Sequence, residues 1–228
     1  MIQAHILDVF VDEAGKFGGG MGMILDEGRS IPDIQRAAIT QRLGYEEAIF
    51  VNDLKQNDIS VITHEREIRF AGQPVVGASW LLSELRGRPI DRIHCLGGEV
   101  RTWQAHGLVW IRASLDIMPD WNIQQLPTVE AVERLTAADA DSLPHTLVWA
   151  WTDQAKGKVR ARTFAADWET VPEVETNGSG SMMLSNLLQR DLQIKHGRGS
   201  IIHAMAEKGN FAAVGGRVVK REVVDLGI

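Results

Sequence analysis

The chain has little that commits it to a special chemistry. Its 228 residues include a single cysteine, Cys95, which excludes an intrachain disulfide and any cluster of thiolate ligands. The seven histidines occur singly, with no His-x-x-x-His pair to set two ligands on one helix face, so no metal is assigned. Positive charge is in deficit: 30 acidic residues stand against 24 basic ones, for a formal net charge of -6. A binder of phosphate backbones needs a basic stripe, so nucleic acid is not an expected partner. No apolar run approaches the roughly twenty residues that span a bilayer, and Met1-Ile2-Gln3-Ala4-His5 has no basic region ahead of an apolar signal core. The expectation is a cytoplasmic protein without a membrane partner. Triphosphate and dinucleotide sites also fit poorly, because Gly20-Met21-Gly22 leads into a strand and no Gly-x-x-x-x-Gly-Lys-Ser/Thr run exists.

What is present is an ordinary globular composition, 44% hydrophobic, enough for one large domain or two domains of about a hundred residues. Two glycine-rich segments punctuate it. Phe70-Ala71-Gly72-Gln73-Pro74 precedes an apolar run from Val75 to Leu85, and Asn177-Gly178-Ser179-Gly180-Ser181 precedes Met182 to Leu188. Each run reads as a helix that is apolar on nearly every side, which implies a helix wrapped by strands, since a surface helix shows a polar face. The first N–H groups of a helix lack internal partners and carry the positive end of its dipole. Two such starts predict two similar halves and, if they face each other, a receptor for a small carboxylate.

The rest of the chain reads mostly as strands. Ala4 to Val11 and Met21 to Leu25 flank a glycine-rich loop, and Ser30-Ile31-Pro32-Asp33 is a capped start for a helix from Ile34 to Leu43 that Gly44 stops. Strands are expected at Ala48 to Val51, at Ser60 to Thr63 with Glu67 to Phe70, and at Arg92 to Leu96, Val100 to Ala105 and Leu108 to Ala113. Asp116 to Gln125 is the linker candidate, dividing the chain into 1–115 and 116–228. Beyond it come a helix near Thr128 to Leu135, a hairpin of Thr146 to Trp151 with Lys158 to Phe164, and strands Ser200 to Ala206, Phe211 to Val214 and Arg217 to Val224. The final strands can cross back to the first half. Cys95 alternates with apolar neighbours as a packed thiol does, and tryptophans 80, 103, 110, 121, 149, 151 and 168 read as core or interface.

Phe17-Gly18-Gly19 after the first strand, Glu47-Ala48-Ile49-Phe50-Val51 after the early helix, Phe70-Ala71-Gly72-x-Pro74, and Arg162-x-Phe164 followed by Glu175-x-x-x-x-Gly180-Ser181 together resemble the PhzF-like isomerase family, over nearly the whole chain. The resemblance implies an α+β fold related to diaminopimelate epimerase, with two pseudo-symmetric halves, each a curled, mostly antiparallel sheet around a central helix. It also implies a cleft between the halves, proton transfer without a cofactor, and a homodimer. Carried over by position, Glu47 is the catalytic glutamate, while Gly72 and Gln73 at one helix start and Thr176, Gly180 and Ser181 at the other bind substrate. Gln73 stands where the family has histidine, Thr176 where it has aspartate, and Gly19-Gly20-Met21 replaces Gly-Asn-Pro.

Both helix-start replacements exchange groups that titrate for groups that only hydrogen-bond. A two-base epimerisation needs acid–base groups on both faces of the substrate, and Gln73, Thr176, Ser179 and Ser181 cannot supply the second near neutral pH. One carboxylate with its pKa raised by desolvation can remove a proton and return it on the same face. The sequence therefore favours a same-face isomerase of a small carboxylic acid, with Glu47 as the shuttle. The alternatives are a homologue of altered or lost chemistry that binds a small molecule, and a scaffold that works through its dimer surface, whose cleft would be closed or filled. In either alternative Thr176 and Asn177 serve as helix caps and Gln73 as a capping or orienting side chain.

Overall fold

A computed structural model describes residues 2–165 and 173–227, and Trp168 lies outside them. The first strand, β1 (Gln3–Val11), pairs antiparallel with β2 (Gly19–Leu25). The chain then forms α1 (Asp33–Leu43) and returns as β3 (Glu47–Asp53), parallel to β2. β4 (Asp58–Thr63) runs antiparallel to β3 and carries the short β5 (Glu67–Ile68). After α2 (Gly72–Arg86), β6 (Arg92–Cys95) joins β4 in parallel, followed by antiparallel β7 (Gly98–Ala105) and β8 (Leu108–Ser114).

The same succession of pairings recurs downstream. β9 (Asn122–Gln125), α3 (Val129–Glu133) and β10 (Thr146–Asp153) form a parallel crossover, β11 (Lys158–Phe164) is antiparallel to β10, and β12 (Glu173–Val174) hangs on β11. After α4 (Gly178–Leu188), β13 (Leu192–His196) joins β11 in parallel, followed by antiparallel β14 (Ser200–Ala206) and β15 (Phe211–Asp225). The expected linker is therefore partly strand, because β9 lies alongside β10.

The two strands expected after residue 210 are one. Phe211 to Gly216 pairs with β8, and Arg217 to Asp225 pairs with β1. Gly215 and Gly216 lie at the change of partner, where Cβ atoms would strike the Trp110 and Phe10 rings at 2.4 Å, so rings lie where side chains would stand and the strand runs on unbroken. This single strand closes β1, β2, β3, β4, β6, β7 and β8 into a barrel-like ring, and it continues the sheet into β14, β13, β11, β10 and β9. The fold is mixed α and β, mostly sheet with few helices.

Strand alternation sorts the side chains. In β3, Ile49 and Val51 join the main core with Leu7, Val9, Met21, Met23 and the α2 residues Val75, Val76, Leu81 and Leu82, whereas Ala48 and Phe50 face a second cluster under α1. Helix α2 is thus buried inside the ring, as its apolar composition predicts. Gly77 permits the approach: a Cβ there would lie 2.4 Å from the Met21 sulfur. Outside the ring, Arg36 of α1 is fully buried against Asp26, Asn52 and Ser60. Asp26 also accepts from the Ser30 N–H and hydroxyl, so Pro32, not Ser30, is the N-cap of α1. Gly44 ends that helix in the left-handed conformation, at φ 74°.

Trp149 and Trp110 are buried, the latter stacked on Trp103 at 5.9 Å. The Cys95 thiol is half-buried, bonded to the Arg69 and Gly98 carbonyls, and burial raises its pKa. That is the chemistry of a packed thiol, not a nucleophile.

Candidate functional site

The two glycine-rich segments are the first turns of their helices, and those turns meet. A Cβ on Gly72 would lie 2.9 Å from the Gly178 carbonyl carbon and the Ser179 nitrogen, and one on Gly178 would lie 3.1 Å from the Gln73 nitrogen. Only hydrogen in place of both side chains allows the starts of α2 and α4 to touch through their backbones.

The polar groups around this junction have definite assignments. Helix α2 has no side-chain cap; its N-cap is Ala71, Pro74 has no N–H, and the Val75 N–H already bonds the Ala71 carbonyl. Gln73 does not cap the helix. Its amide donates to the Gly19 and Gly20 carbonyls at 2.9 and 3.2 Å, and its carbonyl accepts from the Thr176 hydroxyl at 3.0 Å. At α4 the cap is Asn177, whose Oδ1 accepts the Gly180 N–H at 2.7 Å. The Ser181 N–H and hydroxyl both bond the Asn177 carbonyl. Gly180 and Ser181 therefore offer no open donor. The leading N–H groups of the two helices, those of Gly72 and Gln73 and of Gly178 and Ser179, lie ahead of these bonded donors, in the first turn where a helix has no internal partner to offer. Trp121 closes one side, its indole N–H donating to the Ser179 hydroxyl at 2.9 Å.

Glu47 opens β3 on the interior face, in step with Ile49 and Val51. Because Gly22 pairs with Ala48, continuing the register by one residue sets Glu47 beside Met21, two residues along β2 from Gly19. Gly19 in turn packs on Gln73 and Thr176, where a Cβ would meet their oxygens at 2.6 and 2.5 Å. The carboxyl thus lies at the end of the ring where α2 starts. Burial, and secondly the adjacent Glu46 charge, push its pKa up to about 7. It is then present in both protonation states near neutral pH, as a proton shuttle requires.

Behind α4 runs a chain of buried hydrogen bonds. The Asn177 Nδ2 lies 3.2 Å from the Thr163 hydroxyl, which is 2.9 Å from the His196 Nε2, and the His196 Nδ1 is 2.8 Å from the Glu175 carbonyl. Burial, aided by the Arg160 charge and opposed by the bond to Glu175, takes the His196 pKa down to about 4. The Glu175 carboxylate accepts from the Arg198 N–H and the Ser200 hydroxyl, and Ser200 accepts the Gly18 N–H, which joins the glycine loop to this network.

Of the residues chosen from sequence, Gly72, Gln73, Thr176, Gly180 and Ser181 come together at the helix junction, with Glu47 at the same end of the ring. Sequence reasoning missed His196 and the contact of Trp121 with Ser179; the run Gly178 to Ser181 reads in sequence as a place where a ligand approaches the backbone, without separating Gly178 and Ser179 from Gly180 and Ser181. The Asn-Gly-Ser-Gly-Ser run contained the signal for that separation, since an Asn N-cap consumes the donor of the third helical residue and leaves the first two. Two cavities lie elsewhere: one of about 380 Å³ bordered by Arg160, Arg162, Glu173 and Arg198, and one of about 530 Å³ bordered by Asp12, His106, His203 and Arg217. Among the described residues no group of three or more His, Cys, Asp or Glu side chains is placed to hold a metal, and no helix is long and apolar enough to cross a membrane.

No protein-family model matches the chain. Among solved structures it is similar to a phenazine biosynthesis PhzC/PhzF protein from Clostridium difficile, at 18% identity over 100% of both chains with a TM-score of 0.79. A predicted epimerase from Pseudomonas aeruginosa is similar at 20% identity over 99% of both chains, TM-score 0.72. A hydroxyproline epimerase from Agrobacterium vitis, solved with bound trans-4-OH-L-proline, is 11% identical over 98% of this chain and 90% of its own, TM-score 0.60. The architecture is the one found in PhzF-family phenazine biosynthesis proteins and in related epimerases.

Proposed function

We propose that the chain is a PhzF-like isomerase that moves a proton within a small carboxylic acid, without a cofactor, using Glu47 as its single acid and base. The observation that carries this reading is the Glu47 carboxyl on the interior face beside the helix junction, with a pKa raised to about 7 by burial and Glu46. A substrate carboxylate has partners in the first-turn N–H groups of Gly72, Gln73, Gly178 and Ser179, favoured by two converging helix dipoles at roughly 0.3 to 1 kcal/mol each. Gln73 and Thr176 then orient, and Glu47 alone exchanges the proton. The recurring strand pairings support taking 1–115 and 116–228 as two halves about a shared β15, with the site between them. A homodimer in the cytoplasm, without nucleic acid or membrane partners, completes the reading.

A second reading rests on the bond between Thr176 and Gln73 at 3.0 Å. These neutral side chains are tied to one another and the glycine backbones touch, so a ligand must part them to enter. This favours a small-molecule binding protein whose proton-transfer chemistry is altered or lost. Solvent exchange separates the two. Candidate carboxylic acids, cyclic and amino-acid-derived, are incubated in D₂O with the wild type and Glu47→Gln. The isomerase reading expects deuterium incorporation or rearrangement that the variant loses. Binding without Glu47-dependent exchange in any of them sinks it in favour of the binding protein.

A further inference from the structure

We propose that His196 is a positioning residue: its neutral imidazole, acting through Thr163, holds the Asn177 amide in the orientation that leaves the Gly178 and Ser179 N–H groups open at the start of α4. The inference rests on the reading that those groups receive a substrate carboxylate.

The two ends of the relay are backbone atoms of fixed polarity. At one end the Gly180 N–H can only donate, so the Asn177 atom 2.7 Å from it is the carbonyl oxygen. Its Nδ2 therefore points to Thr163, 3.2 Å away, and donates to that hydroxyl. At the other end the Glu175 carbonyl can only accept, so the His196 Nδ1, at 2.8 Å, carries a proton. The neutral ring then has a bare Nε2, which accepts a hydrogen bond from the Thr163 hydroxyl at 2.9 Å. Each member has one consistent role. The Ser179 hydroxyl, which accepts from Trp121, donates to the same Asn177 oxygen at 3.3 Å. Thr163, His196 and Asn177 are all buried, so water cannot replace a missing partner.

Turning the Asn177 amide over breaks the relay at both ends. Its NH₂ would face the Gly180 N–H, donor against donor, and its oxygen would face a hydroxyl committed to His196. The imidazole thereby sets the cap, and the cap decides which donors of α4 stay unpaired. The carbonyl of Glu175, the residue before Thr176, ties this orientation to the segment that reaches Gln73.

The first test is ¹⁵N NMR of the histidine rings in the wild type at pH 7, which is expected to show His196 as the Nδ1–H tautomer. An Nε2–H or doubly protonated ring overturns the proposal without any variant having to fold. The second compares Thr163→Val, which removes the hydroxyl at nearly constant shape, with Thr163→Ser, which keeps it. The probe is acetate, followed at the Gly178 and Ser179 amides. Losing one hydrogen bond of ordinary net strength predicts about tenfold weaker acetate binding for T163V, together with faster amide exchange at Gly180, and recovery of both in T163S. A T163V protein that is less stable yet binds acetate as the wild type does shows a purely structural role and overturns the proposal. A wild type whose Gly178 and Ser179 amides ignore acetate refutes the carboxylate site itself, a separate failure, because the tautomer and the Gly180 exchange judge the relay alone.

Discussion

Replacing Glu47 by glutamine isolates the cost of keeping a carboxyl in the interior. Its pKa moves from an ordinary 4.5 to about 7 on folding, mainly through burial. Because the folded value is the higher one, the penalty is absent below pH 4.5, where both states hold the proton. It grows between pH 4.5 and 7 and is complete above 7, where the folded protein must carry a charge that is largely desolvated. At 1.36 kcal/mol per pH unit, the gap from 4.5 to about 7 amounts to about 3 kcal/mol. Glutamine has nearly the same shape and no charge at any pH. In urea unfolding, Glu47→Gln is therefore expected to gain stability over the wild type as pH rises, reaching up to about 3 kcal/mol near pH 8 relative to the difference below pH 4.5. Contacts that the amide gains or loses are the same at every pH, so they cancel in this comparison. A stability difference that does not change across the window, or one that shrinks as pH rises, refutes a desolvated, proton-poised Glu47. Carrying such a penalty without a use for it is a poor structural solution, which is why the stability measurement bears on function.

Glu46→Gln is expected to lower the Glu47 pKa but to leave it above 4.5, since the Glu46 charge is the smaller of its two causes; a carboxyl titration by ¹³C NMR that returns Glu47 to 4.5 would assign the whole shift to the neighbour. Asp26→Asn strands the Arg36 guanidinium, whose side chain is 0% exposed against 1% for Asp26, and is expected to cost about 3–5 kcal/mol in urea unfolding. A loss below about 1 kcal/mol would show that Asn52 and Ser60 suffice as partners. Gly72→Ala puts a methyl 2.9 Å from the α4 backbone and is expected to cost about 1–3 kcal/mol. Gly178→Ala presses on the same contact, so the double variant should lose less than the two single losses together, and strict additivity would mean that the helix starts do not share that contact.

The periodicity of the strands and the apolar helices was legible because burial acts on each residue locally. Ile49 and Val51 alternate with Ala48 and Phe50 because two different clusters lie on the two faces of β3, and a single sequence records that alternation. The ends of elements were less legible. Gly178-Ser179-Gly180-Ser181 reads as a segment ahead of the apolar helix from Met182, yet it is the first turn of α4, because glycine is tolerated where another backbone must approach. Gly215-Gly216 reads as a break, yet β15 runs through it, because the Trp110 and Phe10 rings occupy the space of the missing side chains. In both places the glycine answers to a distant partner, and no local rule names that partner.

The candidate site shows the same division more sharply. Glu47, Gly72 and Gln73 could be chosen by position because a family pattern places them, whereas a carboxylate at a strand start or a glycine before a helix does not name a role by residue type alone. Which N–H groups stay open could not, because that depends on which are consumed. Gly180 loses its donor to Asn177 and Ser181 bonds back to the Asn177 carbonyl, while Gln73 and Thr176 are spent on each other and on the β2 backbone. A side chain that is hydrogen-bonded to protein in this way contributes to a ligand only by giving up its partner, whereas a backbone N–H without one contributes outright. On that accounting the candidate anion contacts at α4 move from Gly180 and Ser181 to Gly178 and Ser179 at the front of the same segment, while those at α2 stay at Gly72 and Gln73. The exchange of histidine and aspartate types for Gln73 and Thr176 then has a definite physical consequence. The junction between the helices holds its shape through bonds that do not titrate, so on the isomerase reading proposed above the pH dependence near neutrality is expected to follow Glu47 rather than the helix starts.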